Sequence, residues 1–222
     1  MTARRSFLAR LGAAAAALGF GSSEAAARQG GSNASAASPS SAPRWQPTRE
    51  EKDDWMDQIP GKHRMIFDAT TPEGVADAIR YAGNFFTGNK NGYNLEPNDV
   101  AVIIVMRHRA TQFAFSDEIW AKYGKIFSGE DKFTDPKSGA VPTTNFYRSG
   151  LEAHVKRGVH FAVCDLSTNR LKSAIARGTD GKPEAIYKEL TGSAIGNAHF
   201  VAAGILAVNR AQERGYAMSY AG

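Results

Sequence analysis

The chain holds one cysteine in 222 residues, Cys164. A domain with a single thiol has no internal disulfide, so its core must hold it together, and it cannot supply a two-thiol zinc site. There is no C-x-x-C-H for covalent haem. The five histidines, His63, His108, His154, His160 and His199, never fall four residues apart. A local zinc motif is therefore missing as well, and no metal or other cofactor is expected. Long apolar runs are equally scarce. Val100–Met106 is strand-sized, far below the roughly 20 residues a membrane-crossing helix needs, so no span is expected in the mature chain. Blocks of basic charge are lacking too. The formal +5 falls to +3 once Arg4, Arg5, Arg10 and Glu24 are removed with residues 1–27. No basic helix face is interleaved with aromatics, which argues against a nucleic-acid partner.

What the N-terminus does contain is Arg4-Arg5-Ser6-Phe7-Leu8, then an Ala/Gly-rich stretch from Leu11 to Phe20 and the small residues Ala25-Ala26-Ala27. This reads as a twin-arginine signal over residues 1–27, although Ala3 stands where Ser or Thr is usual. Such a route carries folded proteins, so the expected location is the periplasm or beyond. The apolar stretch is too short and too poor in large side chains for a spanning anchor. Residues 28–44 are Gly, Ser, Ala, Asn, Gln and Pro with two arginines, a composition that cannot bury enough apolar surface to offset chain entropy. They read as a linker, which leaves residues 45–222 as one domain.

Strand and helix signals alternate through that domain, the pattern of an α/β fold with a mainly parallel sheet of about five strands. Met65–Ala69 is a short strand. Thr71-Pro72-Glu73 then supplies an N-cap, a first-turn proline and an acid at the positive end of a helix dipole. Val75, Ile79, Ala82 and Phe86 make one apolar stripe, with Gly88–Gly92 as the expected end of that helix. Val100–Met106 should be a central strand covered on both faces. Phe113, Trp120 and Tyr123 sit at helical spacing, which reads as core packing rather than an aromatic binding box. Residues 128–149 are rich in Gly, Pro, Asp and Thr and read as a long loop of the lid or partner-contact kind. A helix over Leu151–Arg157, a strand over Val159–Cys164, and a helix capped by the cluster Asp165, Ser167 and Thr168 follow. The order closes with a helix over Pro183–Leu190, a strand near Ala198–Ala202, a helix over Gly204–Arg214 stopped by Gly215, and an edge strand at Tyr216–Tyr220.

In such a sheet, chemistry gathers where strands end and helices begin. Three ends carry reactive or charged groups: Asp68-Ala69-Thr70, Arg107-His108-Arg109 and Cys164-Asp165. A thiol at a helix N-terminus near cations is favoured as thiolate, the nucleophilic and sulfur-accepting form. Asp165 opposes this unless its carboxylate points away. A free cysteine is also commonly no more than a buried strand residue. Arg107, His108 and Arg109 have the chemistry to hold an anion or a persulfide, or to pair with surface acids.

The order of these motifs resembles the DsrE/DsrF/TusD-like superfamily, in its exported, twin-arginine branch. Asp99–His108 with Ala110–Asp117 and Trp120–Tyr123 is similar to that group's second strand and following helix. Gly158–Cys164 is similar to its cysteine-bearing strand, and Ala203-Gly204 with Arg210–Tyr216 to its closing helix and last strand. The resemblance covers most of residues 62–222. It implies a three-layer α/β/α domain, a homo-oligomer and, in the sulfur-relay members, one cysteine that carries persulfide sulfur between partner proteins. Cys164 stands at the matching position. This chain departs from the relay members in its export signal and in the length of the 128–149 insert. A non-catalytic oligomeric module that binds a small molecule or a protein is the alternative.

Overall fold

All seven residues of Val100–Met106 are buried, which a strand achieves only with a covering layer on each face. The computed structural model describes residues 45–129 and 133–222 and supplies both layers. The signal and linker readings fall on residues 1–44, outside the described residues. Strands β1 (His63–Ala69), β2 (Val100–Met106), β3 (His160–Cys164), β4 (Ala198–Val201) and β5 (Ala217–Ala221) form one all-parallel sheet in the order β4-β3-β2-β1-β5. The fold is three-layer α/β/α, and β2 is its middle strand.

Alternation along the strands sorts the core into two halves. On one face Phe67, Val102, Ile104, Met106, Phe161 and Val163 share a cluster with α2 (Pro72–Tyr93) and with the elements that follow β2 and β3. On the other, Ile66, Ala101, Ile103, Val105 and Ala162 meet a short helix α1 (Trp55–Gln58) and later-chain residues Ala207, Val208 and Ala211. Each fully buried aliphatic side chain contributes roughly 1.5–3 kcal/mol, so β2 is the largest single apolar investment of the sheet.

The first helix starts as its sequence dictates: Thr71 Oγ1 accepts from Gly74 N at 2.9 Å, and Pro72 opens the first turn. It does not stop at Gly88–Gly92. It runs to Tyr93 and is closed by Asn94 in the left-handed region at φ 55°. The flanking core stripe outweighs the low helix propensity of three glycines that face open space.

After β2 the chain takes a 3-10 turn over His108–Ala114 before α3 (Asp117–Gly129) begins. Phe113 therefore does not share one helix with Trp120 and Tyr123. All three are nevertheless buried, and Phe113 packs on Trp120 with ring centroids 4.9 Å apart. The long connection is more ordered than its composition suggests: Phe133, Phe146 and Tyr147 pack against Phe113, and Asn145 Nδ2 donates to Phe113 O and Phe115 O at 2.7 and 3.0 Å. Over its described part it is packed on the core.

The remaining helices are α4 (Arg148–Val155), α5 (Asp165–Thr179), α6 (Pro183–Gly192) and α7 (Gly204–Glu213). Gly215, at φ 81°, turns the chain out of α7 into β5, which is an edge strand as its pattern predicts. Among the described residues no helix is long and apolar enough to cross a membrane.

Candidate functional site

The strand order creates one crevice by connectivity alone. From β1 to β4 the chain steps across the sheet in one direction, with α2 through α6 mostly packed on one face; after β4 it returns across the whole sheet through α7 on the other. The loops leaving β3 and β4 therefore part to opposite faces, and ligand sites of open parallel sheets form at such a divergence, at the carboxyl ends of the strands. Cys164 ends β3 at this point, and Ala203-Gly204 follows β4 on the other side.

A hollow of about 260 Å³ occupies the divergence, bordered by Cys164, Arg107, His108, Ser167, Arg170 and Gly204. Cys164 is 5% exposed, is the N-cap of α5, and belongs to neither core cluster. It is a buried free thiol whose residue lines this hollow. Gly204 permits the crevice to close this far: a Cβ there would stand 2.5 Å from Arg107 Cβ.

Arg107 leaves the end of β2 on the same face as Cys164 and is held from behind. Its Nε donates to Asp68 Oδ1 at 2.7 Å and its Nη2 to Asp68 Oδ2 at 2.8 Å. Asp68 itself is buried at the end of β1. The guanidinium pKa is raised above its ordinary value, first by the hydrogen bonds to Asp68, against burial and with the charge of Asp68, and then by Tyr220 and Cys164. The thiol thus lies within the electrostatic reach of a fixed, permanently charged group.

Asp165 does not oppose the thiol as its adjacency in sequence suggests. Its Oδ1 accepts from Tyr187 Oη at 2.7 Å and its Oδ2 from Asn169 Nδ2 at 2.8 Å, which directs the carboxylate toward α6. The Tyr187 hydroxyl is consequently pushed up to about 12, by that hydrogen bond and by burial. Nor do the three residues of the expected capping cluster cap α5. Asp165 is its first helical residue, Thr168 Oγ1 donates back to Cys164 O at 3.0 Å, and Ser167 Oγ accepts from His108 N at 3.0 Å.

That last bond explains the second feature of the site. His108 is exposed and sits at φ 56°, in the left-handed region that few residues other than glycine, asparagine, aspartate and histidine adopt, and its N–H is fastened to the first turn of α5. Held strain of this kind concentrates at functional sites. The turn separates the trio expected to act together. Arg107 and His108 border the Cys164 hollow, whereas Arg109 borders a neighbouring hollow on the far side of His108. His108, Ser167 and Arg170 border both.

Arg170 is absent from the residues that the sequence singles out, while Asp68 enters there only as a strand end and Gly204 only as a helix start. The signal for Arg170 was present: Ser167, Arg170, Ala174 and Arg177 recur at the three- and four-residue spacing of one helix face. The roles of Asp68 and Gly204 depend on strand order, which no local pattern reveals. Among the described residues no group of three or more His, Cys, Asp and Glu side chains is placed to hold a metal ion.

No family model matches the chain, and no curated protein matches it. Among solved structures it is similar to a protein of unknown function, MTH1491 from Methanobacterium thermoautotrophicum, at 16% identity and a TM-score of 0.43, over 72% of this chain and 99% of that one.

Proposed function

We propose that this chain is a DsrE-like sulfur carrier, acting through Cys164 in the compartment reached by twin-arginine export. One observation supports the reading: the residue that bears the single thiol lines the cleft where the β3 and β4 loops part, as does Arg107, whose guanidinium is anchored on Asp68. In the carrier step the Cys164 thiolate attacks the outer sulfur of a donor persulfide. The donor S–S bond breaks, a new S–S bond forms on Cys164, and the donor departs as its thiolate. No external oxidant or reductant is needed. Arg107 sits where it offsets the negative charge of the thiolate and of the persulfide, and His108 stands at the mouth.

The hollow of about 260 Å³ has room for a single sulfur atom carried on Cys164 and handed over by a partner protein. Leu166, 65% exposed, and Ile205, 58% exposed, border it on either side. They supply the apolar rim that a docking donor, an acceptor or a second copy of the chain would cover. A second reading, a non-catalytic oligomeric module, draws on the same rim together with exposed Leu206, Met218 and Tyr220.

Mass spectrometry of protein treated with a persulfide donor separates the two. The carrier reading expects one added sulfur atom on Cys164 of the folded protein, lost in Cys164→Ser, and alkylation faster than in the denatured chain. Recovery of unmodified thiol only, alkylated no faster than when unfolded, overturns it. A biological role untouched by Cys164→Ser favours the second reading.

A further inference from the structure

The hollow beyond His108 lies outside the Cys164 cleft on which the carrier reading rests. It has a volume of about 270 Å³ and lies between the 3-10 turn after β2, the end of α3 and the outer face of α5. Its surface divides chemically. Ile126, Phe127, Leu171 and Ala174 make an apolar wall. Arg170 and Arg177 on α5 supply positive charge around it. Arg170 and Arg177 have no carboxylate within ion-pair distance among the described residues. Repetition of arginine on one helix face without acids between them leaves a positive potential that attracts an anion.

An independent sign comes from below. Gln112 also borders this hollow, is only 3% exposed, and its Nε2 is a buried donor with no hydrogen-bond partner among the described residues. Buried amide groups are almost always satisfied, and an unsatisfied one facing a cavity marks the place of an absent acceptor. The glutamine backbone is firmly held, since Gln112 O accepts from Trp120 Nε1 at 3.1 Å. The missing acceptor is therefore better sought in the cavity than in a shift of the chain.

The geometry points to a binding site for a small organic anion in this hollow, with its apolar body on Phe127 and Leu171, its acidic group between Arg170 and Arg177, and an acceptor atom on Gln112. The chemistry fits a carboxylate or a phosphate monoester on an aromatic or aliphatic body. Ser167 and the strained His108 separate it from the Cys164 cleft, so the site takes a ligand distinct from the transferred sulfur.

Titration of the folded protein with naphthoate and with phenyl phosphate, followed by calorimetry or by amide shifts of α5, tests this directly. Saturable binding is expected, weakened about tenfold or more in the double variant Arg170→Gln/Arg177→Gln and several-fold in Gln112→Leu. Neutral naphthylmethanol and inorganic phosphate alone should each bind much more weakly, since one lacks the charge and the other the apolar body. Preference for naphthoate assigns a carboxylate ligand, and preference for phenyl phosphate a phosphate ester. No saturable binding, equal binding of naphthylmethanol, or unchanged affinity in the double variant overturns the inference. Both arginines are exposed, so the double variant folds even if Gln112→Leu does not. Cys164→Ser should bind the probes at least as well as wild type, which keeps this result independent of the sulfur-carrier reading.

Discussion

Asp68 and Arg107 come from adjacent strands and meet through two parallel hydrogen bonds, at 2.7 and 2.8 Å, on the face of the sheet that bears Cys164. The carboxylate is buried and the guanidinium keeps one flank toward the cleft, so the pair works as a bracket that aims a cation. Asp68→Asn should destabilise the protein by about 1–3 kcal/mol in denaturant unfolding, below the cost of breaking a fully buried pair because Arg107 retains access to water. Arg107→Lys should slow alkylation of Cys164, since an ammonium cannot reproduce the planar fork that holds the cation in place. An alkylation rate equal to wild type would detach the cation from the thiol.

Two glycines should respond oppositely to the same change. Gly204→Ala places a methyl group 2.5 Å from Arg107 Cβ, so the start of α7 must shift, at a cost of about 1–3 kcal/mol. Gly88→Ala meets nothing within 4 Å in the interior of α2 and should stabilise by about 0.5–1 kcal/mol. Thermal unfolding of the two variants beside wild type reads both signs at once.

A histidine pair on the opposite edge of the sheet should make stability acid-sensitive. His160 Nδ1 and His199 Nε2 are 2.9 Å apart, one donating and one accepting, with Trp55 stacked on His199 at 3.9 Å between centroids. Burial lowers both rings, and the neighbouring His160 lowers His199 further, to about 4 against 6.5 when unfolded. Below pH 6.5 the unfolded chain binds more protons than the folded one. Stability is therefore full above about pH 6.5, declines toward pH 4 and then levels off, a loss on the order of 2 kcal/mol after allowing for partial exposure. His199→Phe keeps the stack on Trp55 and should flatten this decline. An unchanged pH profile in that variant assigns the acid sensitivity elsewhere, with His154 the next group to examine, since burial also lowers it.

Asn145 fastens the long connection to the core through two buried carbonyls. Asn145→Ala strands both acceptors and should cost about 2–3 kcal/mol. Hydrogen exchange in residues 133–147 should rise in the variant, with the sheet strands little affected. Uniform acceleration across the whole chain would show instead that the connection unfolds only with the domain.

The helices and strands were legible because each carries its own signal: the Thr71-Pro72-Glu73 start, the apolar run of β2, the stripe from Val75 to Phe86. Where reading failed, a tertiary effect had overruled a local one. Gly88 and Gly92 look like a stop, yet the buried stripe of α2 carries the helix past them to Asn94. The 128–149 segment looks loose by composition, yet Phe133, Phe146 and Tyr147 find the Phe113–Trp120 cluster from a distance in sequence.

The site was legible to the same depth. Strand ends named Cys164, Arg107 and His108, and these three do border one cleft. Arg109 was grouped with them by adjacency, and the left-handed turn at His108 sends it to the other side. Backbone reversal at a single residue leaves no mark in composition or period.

Arg170 borders both hollows, so its one charge is shared property. Any acidic molecule that claims this guanidinium from the α5 side dilutes the positive field felt at the sulfur, and an anionic sulfur in turn loosens the grip on that molecule. Thermodynamic reciprocity makes the two occupancies compete without ever touching.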